Sequence, residues 1–123
     1  MGRSKISSLT FMVTPDFKEI VIERRGQPGE TWESLIRTFP ADAPRYIATH
    51  YSWDLGADGK RSRTVFVHWC PSPSTLKSKM IYAATKISFK QSLTGLQVDL
   101  QAGDLSELTT ERVLEQCQRF NKA

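Results

Sequence analysis

The sequence predicts an α/β (α+β) fold: a central mixed sheet of about five strands flanked by helices, in one domain over residues 1–123. Three observations predict it. Short apolar runs with period-two alternation come in pairs joined by compact turns. Two runs in the middle of the chain carry apolar side chains on both faces, as strands covered on both sides do. A strand, a long helical stretch and a further strand then follow in succession, which is the order of a parallel crossover. A hydrophobic content of 39% and a charged content of 24% in 123 residues are ordinary for one globular core.

The elements follow in order. "KISSLTFMV" alternates, with Leu9, Phe11 and Val13 on one side, and reads as a strand. Thr14-Pro15-Asp16 is a turn, because proline presets the first central backbone angle and Asp16 tolerates the second. "FKEIVIERR" returns as the second strand, ended by Gly26, Pro28 and Gly29. Thr31 can cap a short helix whose Trp32, Leu35, Ile36 and Phe39 form one apolar stripe, and Pro40 stops it. "RYIATHYSWDL" and "RTVFVHWC" are the two central strands, joined by "GADGKRS" with Asp58-Gly59 at the tip. Val65, Val67 and Trp69 face one way and Phe66 the other.

Ser72 or Ser74 is expected to cap the next helix, with Pro73 at an early position and Gly95 beyond its end near Leu93. "LQVDLQA" is a fifth strand by the alternation of Leu96, Val98 and Leu100, parallel to the strand ending at Cys70. A last helix starts near Thr109, with Glu111 in its first turn and Val113, Leu114, Cys117 and Phe120 inward.

Composition narrows the function. Seventeen basic against thirteen acidic side chains give +4, a mild excess that favours an acidic partner without choosing one. Two isolated cysteines, Cys70 and Cys117, read as reduced, packed thiols of a cytoplasmic protein. No apolar run is long enough for a transmembrane segment, and Met1-Gly2 lacks the Ser or Thr at position 6 of a myristoylation signal. His50, His68, Cys70 and Cys117 are the candidates for metal or nucleophile chemistry, but no ligand pair has a familiar spacing and no third group orients a Cys–His pair. They read as core residues, and with no glycine-rich phosphate loop the chain reads as a non-enzyme without cofactors.

The basic residues are more informative. Lys60, Arg61 and Arg63 gather at the hairpin tip and its exit. Lys77 and Lys79 fall in the first turns of the long helix, near its positive dipole end, where cations are mildly disfavoured. That placement suggests a partner carboxylate. By spacing alone Met80 shares a stripe with Leu76 and Ile87 and belongs in the core, while Ile81, Tyr82 and Phe89 make other sides of the helix apolar.

The stretches "GKRSRTVFVHWCPSPSTLKSKMIYAATK" and "LTGLQVDLQAGDLSELTTERVLEQ" strongly resemble the actin-depolymerising factor/cofilin family. The matching pieces are the basic pair before a strand ending in Trp, the W-x-P, the K-x-K-M-x-Y-A-x-x-K helix start and the Q-A-x-D-x-S-E tail. The resemblance covers nearly the whole chain and is dense from Ala43 onward. It implies the actin-depolymerising-factor homology fold. It also implies a monomer that binds actin monomers and filaments, preferably ADP-bound, with severing and faster subunit loss. By the same resemblance Lys77 and Lys79 pair with actin carboxylates and Met80 fills a hydrophobic cleft. Arg61 and Arg63, with Glu115 and Arg119 on the last helix, make the filament contact. Lys60, Arg61, Lys77 and Lys79 would bind phosphoinositide headgroups in competition with actin.

Three departures stand beside it. The family's N-terminal helix and its segment with a regulatory serine have no counterpart before the first strand. Ser4 lies near the terminus, and one sheet face is expected to be thinly packed. The acidic residue after W-x-P is Ser72, and an arginine of the last helix is Gln116. Two other functions are weighed. A relative of the glia maturation factor type, which removes branches by binding the actin-related complex, is opposed by the W-x-P and K-x-K-M residues, which belong to the actin-binding branch. A small nucleic-acid binder wants exposed aromatics among its positive charges, whereas Tyr51, Trp53 and Trp69 read as covered and the arginines as loop residues.

Overall fold

The computed structural model describes residues 8–122 apart from Pro28 and Leu55, and excludes the side chains of Asp58, Phe120, Asn121 and Lys122. The expectations for Met1-Gly2, Ser4 and the inward Phe120 lie outside the described residues. Five strands form one sheet: β1 (Ser8–Val13), β2 (Ile20–Arg25), β3 (Arg45–Asp54), β4 (Lys60–Trp69) and β5 (Val98–Ala102). Their order is β2-β1-β3-β4-β5, antiparallel except for the last pair, in which β5 runs parallel to β4. The crossover between them is α2 (Leu76–Gln91). The helices α1 (Trp32–Ile36) and α3 (Thr110–Lys122) complete the fold.

The two-faced character of the central strands divides the core. Val65, Val67 and Trp69 point to one side, where Leu35, Ile36 and Phe39 meet Val113 and Cys117 of α3. Phe66 points to the other, joining Phe11, Val13 and Tyr46 beneath Tyr82 of α2. Thr31 caps α1 as expected, its hydroxyl accepting from the Ser34 amide at 3.0 Å. Two indoles act as pins as well as packing. The Trp69 N–H donates to the Pro40 carbonyl at 2.7 Å, and the Trp32 N–H to that of Leu108 at 2.6 Å.

Exposed apolar side chains of the sheet gather on its edge strand, on both faces rather than on one as expected. Val21 and Ile22 of β2 are exposed, while β3 and β4 are sealed at Tyr46, Ile47, Phe66 and Val67. The fifth strand begins later than its alternation suggests. Leu96 precedes β5 and packs on the α2 side, whereas Val98 and Leu100 join the opposite core.

Candidate functional site

The site is built where three chain segments reach the same end of the sheet. β1 runs antiparallel to β3, and β3 antiparallel to β4, so β1 and β4 finish together. There the β1–β2 turn, the end of β4 and the start of α2 are neighbours. The turn from Pro71 is closed by the Ser74 N–H donating to the Pro71 carbonyl at 3.1 Å. This corrects the expected cap. Ser74 is buried inside the turn and Pro73 precedes the helix, so Thr75 is the first residue free to cap, and its hydroxyl accepts from the Ser78 amide at 3.1 Å.

The stripe assigned to the core by spacing points outward instead. Leu76 is 73% exposed, Met80 61% and Ile87 70%. The sheet takes the aromatic side of the helix. Phe89 meets Phe11 edge-on at 4.9 Å and stacks on Tyr46 at 5.1 Å. The Tyr82 hydroxyl accepts the Val13 amide hydrogen at 2.8 Å, and the Tyr46 hydroxyl donates to the Tyr82 carbonyl. Burial pushes the Tyr46 phenol up in pKa, against a smaller opposite pull from Thr85, and keeps it a donor. Toward its end, α2 is tied to β5 by Asp99. That carboxylate pairs with Lys86 at 3.4 Å and with Lys90, whose ammonium also lies 5.7 Å from the Phe66 ring.

Aromatic side chains can anchor themselves both by area and by hydrogen bond, so they win the inner side. Leu76, Met80, Ala83 and Ile87 are left within an arc of about 60° on the outer side, since successive residues turn by about 100°. Lys77 and Lys79 flank Met80 to either side. Lys77 is exposed and Lys79 half-buried. The Lys77 ammonium lies 4.9 Å from the centroid of the Phe17 ring, a contact across the β1–β2 turn that sequence reasoning missed. Phe17 has φ +62°, a left-handed backbone rare for a bulky side chain, so nothing in its residue type announced it.

Arg61 and Arg63 lie on the opposite side of the sheet, toward the start of β4, and Glu115 and Arg119 belong to α3 on that same side, whereas Lys60 alternates to the α2 side. β4 starts at Lys60, so Lys60, Arg61 and Arg63 belong to a strand rather than to a loop. The connection shrinks to a 3-10 turn, Gly56–Asp58, with positive φ at Gly56 and Gly59. Arg61 pairs in register with Trp53 and Arg63 with Tyr51, which places both arginines on the α3 side with those rings. The Arg63 guanidinium stands 6.0 Å from the Trp53 ring, and Tyr51 and Trp53 are half-buried rather than sealed. Glu115 and Arg119 pair with each other at 3.2 Å on the exposed side of α3. The four basic residues suggested for a headgroup are thus divided. Lys60 and Arg61 stand at the start of β4, roughly 30 Å of strand away from its end, where Lys77 and Lys79 follow.

The cysteines and histidines separate as well. Cys117 is buried, and burial raises its thiol pKa, against a smaller opposite pull from Arg63, keeping it protonated. His68 is buried against Tyr46, with both ring nitrogens lacking a partner among the described residues. Cys70 is half-buried and His50 exposed, which corrects the reading of His50 as core. Among the described residues, no group of three His, Cys, Asp or Glu side chains could hold a metal, and no helix is long and apolar enough to cross a membrane.

Comparison with known proteins agrees with this architecture. The model of the cofilin/tropomyosin-type actin-binding proteins matches residues 1–118. Actin-depolymerizing factor 1 of Oryza sativa subsp. japonica is 35% identical over 105 residues, covering 85% of this chain and 76% of that protein. Actin-depolymerizing factor 10 of Arabidopsis thaliana is 35% identical over 103 residues, covering 84% and 74%. The crystal structure of Streptomyces griseoflavus cofilin superposes with a TM-score of 0.86 at 28% identity, covering 94% of this chain and 85% of that one. Coactosin from Entamoeba histolytica, at 18% identity and a TM-score of 0.82 over 96% and 84% of the two chains, shares the fold. The mixed five-stranded sheet with its helices is that of the actin-depolymerising factor/cofilin family, and the chain belongs to it.

Proposed function

We propose that this protein binds actin through the outer side of α2 and promotes filament disassembly, as a monomer of the cytoplasm and cytoskeleton that performs no catalysis. The observation that carries the reading is the exposure of Leu76 and Met80 between Lys77 and Lys79. A helix that turns a leucine and a methionine into water beside two ammonium groups fits an apolar cleft with an acidic rim. Met80 enters the cleft, and Lys77 and Lys79 pair with its carboxylates. Arg61, Arg63, Glu115 and Arg119 make a second contact with a neighbouring subunit of the filament. Their position across the sheet from α2 supports this, because one molecule could then touch two subunits. ADP-bound actin is the preferred form. Gln116 lacks the charge of its family counterpart, which weakens the filament contact on which severing depends.

Phosphoinositide headgroups compete with actin at Lys77 and Lys79, with Lys60 and Arg61 as a separate basic patch. The test is sedimentation with filamentous actin over a range of protein concentrations, paired with the rate of subunit loss from labelled filaments. Saturable co-sedimentation with faster subunit loss supports the proposal. An absence of pelleting and of binding to monomeric actin refutes it.

A further inference from the structure

We infer that Phe17 is a positioning residue for the actin-binding face: its ring holds the Lys77 ammonium in place at the start of α2, making the β1–β2 turn part of the site. The inference rests on the proposed actin reading and deepens it. Two independent features of Phe17 converge. Its backbone is left-handed, at φ +62°, a conformation that glycine or asparagine adopts readily and a bulky aromatic residue rarely does. The turn imposes that angle. The Phe17 N–H donates to the Thr14 carbonyl at 2.8 Å, the Thr14 N–H to the Glu19 carbonyl at 2.8 Å, and the Thr14 hydroxyl to Asp16 at 2.6 Å. A glycine would fill the position without strain, so the ring must contribute something a glycine lacks.

The ring lies between two things. On one side it packs against the core beneath α2, with Ile20 and Leu9 in the same cluster. On the other, the Lys77 ammonium lies 4.9 Å from its centroid. Lys77 is the second residue of the helix, and the positive dipole end there repels an ammonium group. The negative face of an aromatic ring opposes that repulsion. A lysine left to itself samples many rotamers, and binding must freeze them. Held over Phe17, it is aimed beforehand, and the loss on association is smaller. A strained residue retained where it touches a binding group is the pattern expected when local strain serves function.

The experiment is a double-mutant cycle on monomeric actin affinity with Phe17→Leu, Phe17→Tyr and Lys77→Ala. Leucine keeps apolar bulk and removes the ring, whereas tyrosine keeps the ring. Phe17→Leu is expected to weaken binding about three- to fivefold in the parent and to change it by less than about 1.5-fold once Lys77 is alanine, with Phe17→Tyr near parental affinity. Equal losses from Phe17→Leu in both backgrounds, or no loss in the parent, overturn the inference. A second readout does not involve actin. The Lys77 ε-methylene protons are expected upfield in the nuclear magnetic resonance spectrum through the ring current, and to return to ordinary shifts in Phe17→Leu. An unshifted Lys77 in the parent protein overturns the inference even if actin binds. A shifted Lys77 in a protein that does not bind actin overturns the functional reading and leaves the contact standing.

Discussion

The helices α2 and α3 both pack on the sheet, one on each side, and they treat their apolar residues differently. In α3 these residues segregate. Val113 and Cys117 are buried, while Glu111, Arg112, Glu115 and Arg119 are exposed. In α2 they encircle the helix, with Tyr82 buried and Leu76, Met80 and Ile87 in water. α3 is satisfied by its own fold. α2 turns one apolar side to the sheet and another to water, so its weak segregation reports two surfaces rather than a poor helix. A helix greasy on more than one side in a protein too small to bury it is therefore a signal of a partner.

The contrast can be broken most forcefully at the charges beside Met80. Lys77→Ala with Lys79→Ala should lower actin affinity at least thirtyfold, since truncating charge-assisted contacts at a desolvated interface costs about 2–5 kcal/mol. The circular dichroism spectrum should stay unchanged, and an unchanged affinity would mean the site is misassigned. Next come two single truncations with opposite consequences. Val113→Ala should reduce unfolding free energy by about 2 kcal/mol in urea titrations and leave monomer binding intact. Met80→Ser should do the reverse, weakening monomer binding about tenfold with no loss of thermal midpoint, because its side chain packs little in the free protein.

Tyr82→Phe removes the acceptor of the Val13 amide hydrogen, so stability should fall by about 1–2 kcal/mol. If it does not, the Val13–Tyr82 bond contributes nothing measurable and α2 is held by its ring packing, the Tyr46 hydroxyl and the Asp99 ion pairs.

His68 sharpens the comparison through pH. Burial, helped by the charge of Lys86 and opposed by Asp99, lowers its pKa below the ordinary imidazole value of 6.5. The unfolded chain therefore binds a proton more readily than the native one. Stability is full above the unfolded value and declines as pH falls through it, by up to about 1.4 kcal/mol per pH unit for one proton. His68→Phe should flatten that limb in urea melts between pH 7 and 5. An equally steep limb in the variant would place the acid sensitivity elsewhere. The smallest effect is expected at Glu115 and Arg119. Their exposed i,i+4 pair contributes about 0.3–0.5 kcal/mol, so Glu115→Ala should barely alter the melt while reducing filament pelleting.

Much of this fold was legible because strands carry their burial in a period of two. Val65, Phe66 and Val67 declared both faces of β4, and the long helical stretch after Trp69 made β5 parallel. Thr31 was legible as a cap because a helical stripe begins right after it. Thr75 was not, since Ser72, Ser74 and Thr75 are all competent caps and the choice depends on the turn from Pro71. The outward stripe of α2 had no sign of direction in its spacing, which gives faces but not which one meets the sheet. The hydrogen bonds of Tyr82 and Tyr46 decide that, and they join residues 69 and 36 positions apart. The Lys77–Phe17 contact spans sixty positions and depends on a backbone angle unusual for its residue, so no local pattern could contain it.

The fastening of α2 is uneven along its length. Asp99 grips Lys86 and Lys90 from β5, and Tyr82 is bonded to the end of β1, whereas Leu76 at the tip projects freely. Such a helix behaves as a cantilever clamped over most of its span. Force applied to the tip travels along the rod into β1 and β5, on either side of the sheet's middle, so a load on the exposed end is shared by the whole slab.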